Sequence, residues 1–310
     1  MPGTTVDRTT AAGARAATRT AAVGRVIDRL RRIGAGLPPA DGVAVFNRIY
    51  LTVTQAVRDR LDRGCFVDPR ATAELDVVFA GYYLRAVAAD AAGREPPACW
   101  RPLFALRAHP GVHPLQFALA GMNAHIQHDL PLAVVDTCRR RGCEPAAVEE
   151  DYHRINRVLA EVETAVREQL MPGPDLLELA EPLPHLLGVW SVGAAREGAW
   201  SAVEALWELR YLPGAARAFA AALDGSVGLL GRALLLPLGA LLPPGSDAGP
   251  DGVPSTGPDG VPGTGRQAPV TAAAALLAEA GNRTAGGTDA GAAGAGGDQA
   301  QLECSGLPSA

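Results

Sequence analysis

This 310-residue sequence predicts an all-α fold, a single bundle-like domain of about eight helices, and three observations lead there. Hydrophobic residues make up 48% of the chain but aromatics only 5%, and the mix is dominated by Ala, Leu and Val, which suits helices better than strands. From Ala21 to Leu242 apolar residues recur at helical spacing, with no convincing alternating strand among them. Asp, Pro and Gly fall where helices of ordinary length would start and stop.

Residues 1–20 are rich in Arg, Thr and Ala without an apolar stretch, so they predict a disordered leader and not a secretory signal. Asp41 is placed to cap a helix through FNRIYLTVTQAVRDRL, which Gly64 stops. Asp68 and Pro69 start another through ELDVVFAGYYLRAVAAD to Gly93. Pro114 opens a helix into the stretch GMNAHIQHDLP, Gly121 to Pro131, where Asp129-Leu130-Pro131 reads as a cap and restart. Arg139, Arg140 and Arg141 then suit the negative end of a helix that Gly142 terminates. Cys138 and Cys143 flank that run at a spacing too long for a paired-thiolate zinc motif, and no metal is assigned to them. Further helices are expected from Pro145 to about Leu170, from His185 to Leu209, and as a last pair over Gly214–Leu223 and Val227–Leu236. The domain therefore runs over 21–242. Beyond it a tandem octad, GPDGVPST then GPDGVPGT, leads into an Ala/Gly-rich stretch, which predicts a disordered tail over 243–310.

Charge narrows the partners. Every one of the 28 basic residues is Arg, and from Pro243 onward seven acids face two Arg, a net of −5 that equals the charge of the whole chain. The body is thus neutral, which argues against a nucleic-acid surface. The longest apolar run, Ala233 to Leu242, contains Pro237 and is too short for an integral membrane segment. Gly231, Arg232 and Pro237 also break up the Val227–Leu242 face that peripheral membrane contact would need. Five Cys without a disulfide rhythm fit a reducing, cytoplasmic setting.

The polar stretch carries the chemistry. On a helix Leu115, Leu119, Met122, Ile126 and Leu130 form an apolar stripe, while His125, His128 and Asp129 share a neighbouring face beside Ala118 and Gly121. Those small residues would let another helix approach. Two imidazoles and a carboxylate one turn apart are metal ligands or an acid–base set, and equally a buried hydrogen-bonded group. A third ligand must come from elsewhere, and Asp76, embedded in LDVVFAGYY, is the first choice. Asp151, Asn156 and the loop residues His109 and His113 are weaker choices. Arg196, one turn before Trp200, predicts either stacking on that ring or a contact to Asp76 or an anionic substrate. Asn123 and Tyr83 join Arg196 as candidate substrate contacts.

The segments FNRIYLTVT, ELDVVFAGYYLRAV, GMNAHIQHDLPLAVV and AAREGAWSAVEALW, in this order, resemble an uncharacterised bacterial helical family, mainly actinobacterial. The resemblance spans roughly Val43 to Leu212 and implies an all-helical soluble protein, with no catalytic residue to carry over. A fainter likeness, to HD-domain phosphohydrolases, rests on the order His109 or His113, then His128-Asp129, then Asp151.

Together these readings lead to a metal-dependent hydrolase of a small anionic molecule. His125, His128 and Asp76 would hold Zn, Mn or Fe, Asp129 and Asp76 would be catalytic, and the metal would acidify bound water. The rival is a non-catalytic binding or scaffold protein whose His/Asn/Asp cluster is a structural network.

Overall fold

The computed structural model describes the backbone of residues 8–170 and 191–237 and the side chains of 20–159 and 191–237. The tail expected over 243–310, and the start expected at His185, lie outside these residues. No strand occurs among them. The helices are α1 (Arg8–Ala35), α2 (Gly42–Asp62), α3 (Pro69–Ala91), α4 (Arg101–Leu106), α5 (Pro114–Ala124), α6 (Leu130–Arg141), α7 (Ala146–Leu170), α8 (Val192–Glu208) and α9 (Pro213–Leu234). A π-helical segment, His125–Asp129, joins α5 to α6 in one interrupted rod. Counted that way, the described helices number eight.

The punctuation acts as its chemistry requires. Asp41 accepts from the amides of Val43 and Ala44, and Asp68 from those of Arg70 and Ala71. Gly64, Gly93 and Gly142 each follow a helix with φ near +70°, a left-handed conformation that a side chain disfavours.

Three expectations change. Helix α1 begins at Arg8, earlier than Ala21. The anticipated pair over 214–236 is one helix, α9, and Asp224 lies inside it, capping no helix; its carboxylate accepts from the amides of Ala98 and Cys99, both at 2.9 Å. Asp129 does not cap α6 either: its backbone is helical and its side chain bonds elsewhere. Pro131 has no N–H to give and its ring crowds the preceding turn. The chain widens there, so that Leu130 donates to the carbonyl of His125, five residues back.

Packing centres on the interrupted rod. Helices α2 and α9 pack against α5, while α3 and α8 pack against α6. A Cβ on Gly121 would lie 2.4 Å from the Phe46 ring of α2, so only glycine permits this crossing. Gln116 donates to the carbonyls of Leu234 and Leu236, and Asn123 to that of Val227, which seats α9 on α5 through buried amides. Val227 and Leu234 of α9 are themselves buried. Two large apolar clusters result, beside a small third one of Val23, Ile27 and Ala73. One is built around Phe46, Tyr83 and Trp100, the other around Val134, Tyr152 and Val203.

Candidate functional site in a pocket between two core clusters

Between the clusters lies a pocket enclosing about 800 Å³, its open mouth included. Its walls draw on Phe46 and Ile49 of the first cluster and on Leu75 and Leu130 of the second. Against this apolar lining stand Tyr50, Asp76, His125 and Arg196.

His125 owes its orientation to Asp129. Its Nδ1 lies 3.0 Å from Asp129 Oδ2, which also accepts from Trp100 Nε1 at 3.0 Å. The other oxygen, Oδ1, is 2.8 Å from Nδ1 of His128. An ionised carboxylate only accepts, so both imidazoles carry a proton on Nδ1. The π segment makes this convergence possible, since it turns His125, His128 and Asp129 inward together. Burial pushes the Asp129 carboxyl up, but the hydrogen bonds from both histidines outweigh it and hold the group below the usual carboxylate range.

The two rings then part. His125 stacks on Phe79, with ring centres 3.6 Å apart, and meets Tyr50 edge-on at 4.4 Å. Burial among these rings lowers its pKa, and Asp129 only partly offsets that, so the ring is neutral near pH 7. Its Nε2 is buried with no partner. His128 does not line the pocket; its Nε2 faces Asp224 at 3.7 Å. For His128, burial lowers the pKa, but the hydrogen bond to Asp129 and then the charges of Asp129 and Asp224 prevail and raise it.

Asp76 Oδ2 and Tyr50 Oη are also buried without partners. Asp76 keeps some accessible surface because it lines the pocket, yet burial among carbon pushes its carboxyl up to about 7. Burial, followed by the charge of Asp76, pushes the Tyr50 phenol well above its ordinary range.

Arg196 is 4% exposed and makes no ion pair among the described residues. Its guanidinium donates to Asn156 Oδ1 and, at 2.6 Å, to the carbonyl of Tyr152, and sits 4.0 Å from the centre of the Tyr152 ring. The stacking expected on Trp200 is therefore taken by a ring of α7, a partner whose distance in sequence hid it.

The structure uses the remaining candidates elsewhere. Both ends of the Asn123 amide are occupied, by Val227 and by Gln127, and Tyr83 donates to Asn47 at 3.3 Å. Neither lines the pocket. His113 caps α5 through Nδ1, and His109 accepts from Gly111. Asp151 gathers the amides of Val67 and Asp68 with the Thr72 hydroxyl. His109, His113 and Asp151 are thus each engaged in local hydrogen bonds of their own.

Among the described residues, the group of three or more metal-ligating side chains with donor atoms within 4.8 Å of one another is Cys99, His128 and Asp224. It shares only His128 with the ligand set expected from sequence. Composition alone did not single out Cys99 or Asp224, because their proximity comes from α9 folding back on the turn before α4.

Among the described residues no helix is long and apolar enough to cross a membrane. Searches of curated proteins and of solved structures find no match. A family model does match, over residues 23–237, which is most of the chain: the protein belongs to DUF5995, a family of unknown function.

Proposed function

We propose that the protein is an enzyme, a hydrolase of a small anionic molecule, working in the pocket between the two core clusters. One observation carries this reading. Three buried polar atoms without partners, Tyr50 Oη, Asp76 Oδ2 and His125 Nε2, belong to residues lining the same apolar cavity. Each such atom costs roughly 1–3 kcal/mol in a folded protein, and a bound substrate would recover it.

The roles follow from protonation. His125, with Nδ1 held by Asp129, presents a bare Nε2 as general base toward a water molecule. That water attacks a carbonyl carbon, its proton passes to Nε2, and the tetrahedral oxyanion accepts hydrogen bonds from Tyr50 and from Asp76 in its neutral form. Collapse breaks the bond to the leaving group, which takes the proton from His125. Arg196, a buried cation lacking a carboxylate partner, holds the anionic end of the substrate. His125 thereby acts first as base and then as acid and Asp76 as an oxyanion donor, while His128 belongs to the opposite face of Asp129.

The rival reading, a structural network in a binding or scaffold protein, is supported by the bonds that Asp129 makes to Trp100 and both imidazoles. It accounts for Asp129 and leaves the three unpartnered atoms unexplained. Nitrophenyl half-esters of short dicarboxylic acids, which keep a free carboxylate, separate the two. Turnover should fall by at least about 100-fold in His125→Gln. Arg196→Gln should raise KM for the half-ester and not for its neutral methyl ester. Absence of turnover in the parent protein, or His125→Gln and Asp76→Asn variants that turn over as fast as the parent, rules out the enzyme reading and leaves the network.

A further inference from the structure

We propose that Cys99, His128 and Asp224 form a second site, one that binds a divalent transition-metal ion with Zn²⁺ as the best fit. The three side chains meet through the geometry of the fold, independently of the pocket chemistry. A thiol from the turn before α4, an imidazole from the π segment and a carboxylate from α9 bring their donor atoms within 4.8 Å of one another. The His128 Nε2 to Asp224 Oδ1 separation, 3.7 Å, is close to the ~3.3 Å between two ligands on a tetrahedral zinc ion. One sulfur, one nitrogen and one oxygen donor, with a coordination position left over, is a set that zinc accepts readily.

Support beyond the three ligands makes the site a built one. Asp129 Oδ1 accepts a hydrogen bond from the Nδ1–H of His128, which aims Nε2 at the cluster and strengthens it as a donor. Both oxygens of Asp224 are oriented by the amides of Ala98 and Cys99 and keep lone pairs for an ion. A Cβ on Gly228 would come within 2.6 Å of the Ala98 carbonyl, so glycine is what lets α9 lie this close. Cys99 and His128 are buried, and the Asp224 side chain, 22% exposed, opens the site to solvent. An arriving ion displaces the Cys99 thiol proton, and any proton on His128 Nε2, to water. Because Asp129 bonds both imidazoles, an ion on His128 also bears on the orientation of His125.

The test loads the full-length chain, stripped with chelator, with Co²⁺ and separately with Zn²⁺. One ion per chain is expected. Co²⁺ should produce a near-ultraviolet thiolate-to-cobalt charge-transfer band. Cys99→Ser should abolish that band, and Cys99→Ser, His128→Ala and Asp224→Asn should each weaken Zn²⁺ uptake by at least about tenfold. Zn²⁺ should raise the melting temperature of the parent and not of these variants. A Cys138→Ser, Cys143→Ser double variant should behave like the parent, since that thiol pair lies elsewhere. Failure of the parent to retain either ion overturns the proposal. So does a charge-transfer band that survives Cys99→Ser, or uptake lost only in the Cys138/Cys143 variant. If Cys99→Ser does not fold, His128→Ala and Asp224→Asn carry the decision.

Discussion

Asp76→Asn should change how stability depends on pH, by an amount the structure sets. Burial raises the Asp76 carboxyl from an ordinary 3.8 to about 7, whereas in the unfolded chain it returns to the ordinary value. Between those two values the folded protein binds the proton and the unfolded chain does not. Stability from this group is therefore greatest below about pH 4 and falls as pH rises toward 7, where the folded form ionises too. Each pH unit in that window is worth ~1.4 kcal/mol. From pH 5 to pH 7 the parent should thus lose about 2.3 kcal/mol relative to Asp76→Asn, because the folded carboxyl is already half ionised at pH 7, and less where water in the pocket solvates the carboxylate, with little further change to pH 8. Urea unfolding of both proteins at pH 5, 6, 7 and 8 measures this, because the difference between them cancels the titration of every other group. A difference that stays constant across the series, or runs the other way, would refute the idea that Asp76 is held neutral by its surroundings.

Other perturbations test the frame of the site. Gly121→Ala would ordinarily gain helix propensity, yet here the new methyl meets the Phe46 ring at 2.4 Å, so urea unfolding should show a loss of about 1–3 kcal/mol. Trp100→Phe removes the indole donor to Asp129 Oδ2. It should cost about 1–3 kcal/mol and shift the acid limb of the stability profile to higher pH, since Asp129 is depressed in the folded state and loses its contribution as pH falls. Asp151→Ala strips the acceptor from Val67 and Asp68 amides at once, and should destabilise the α2–α3 connection by about 2 kcal/mol, seen as faster hydrogen exchange at those amides.

Much of the helical frame was legible in the chain itself. Asp41, Asp68 and the three stop glycines act through bonds and backbone angles reaching only a few residues, so local reading located them. The same reading marked His125, Asp129, Asp76 and Arg196 as polar groups in apolar helices, where burial makes an ionisable side chain conspicuous. What it missed came from partners remote in sequence. A helical wheel assumes 3.6 residues per turn, and Pro131 imposes a π turn that resets which side chains share a face. The sequence could not show that Asp224 binds the turn before α4, nor that Arg196 stacks on Tyr152 in place of Trp200.

By itself, then, the sequence determined the helical class, the main helix boundaries and the residues whose burial would be costly, because those depend on propensity, capping and periodicity over short spans. Only the tertiary structure decided how they combine. Close packing at Gly121 and Gly228, the widened turn before Pro131 and the shared carboxylate of Asp129 turn one imidazole into an apolar pocket and the other toward Cys99 and Asp224. Those choices rest on shape and on which hydrogen bonds remain to be satisfied once helices meet, and neither is encoded in any local stretch.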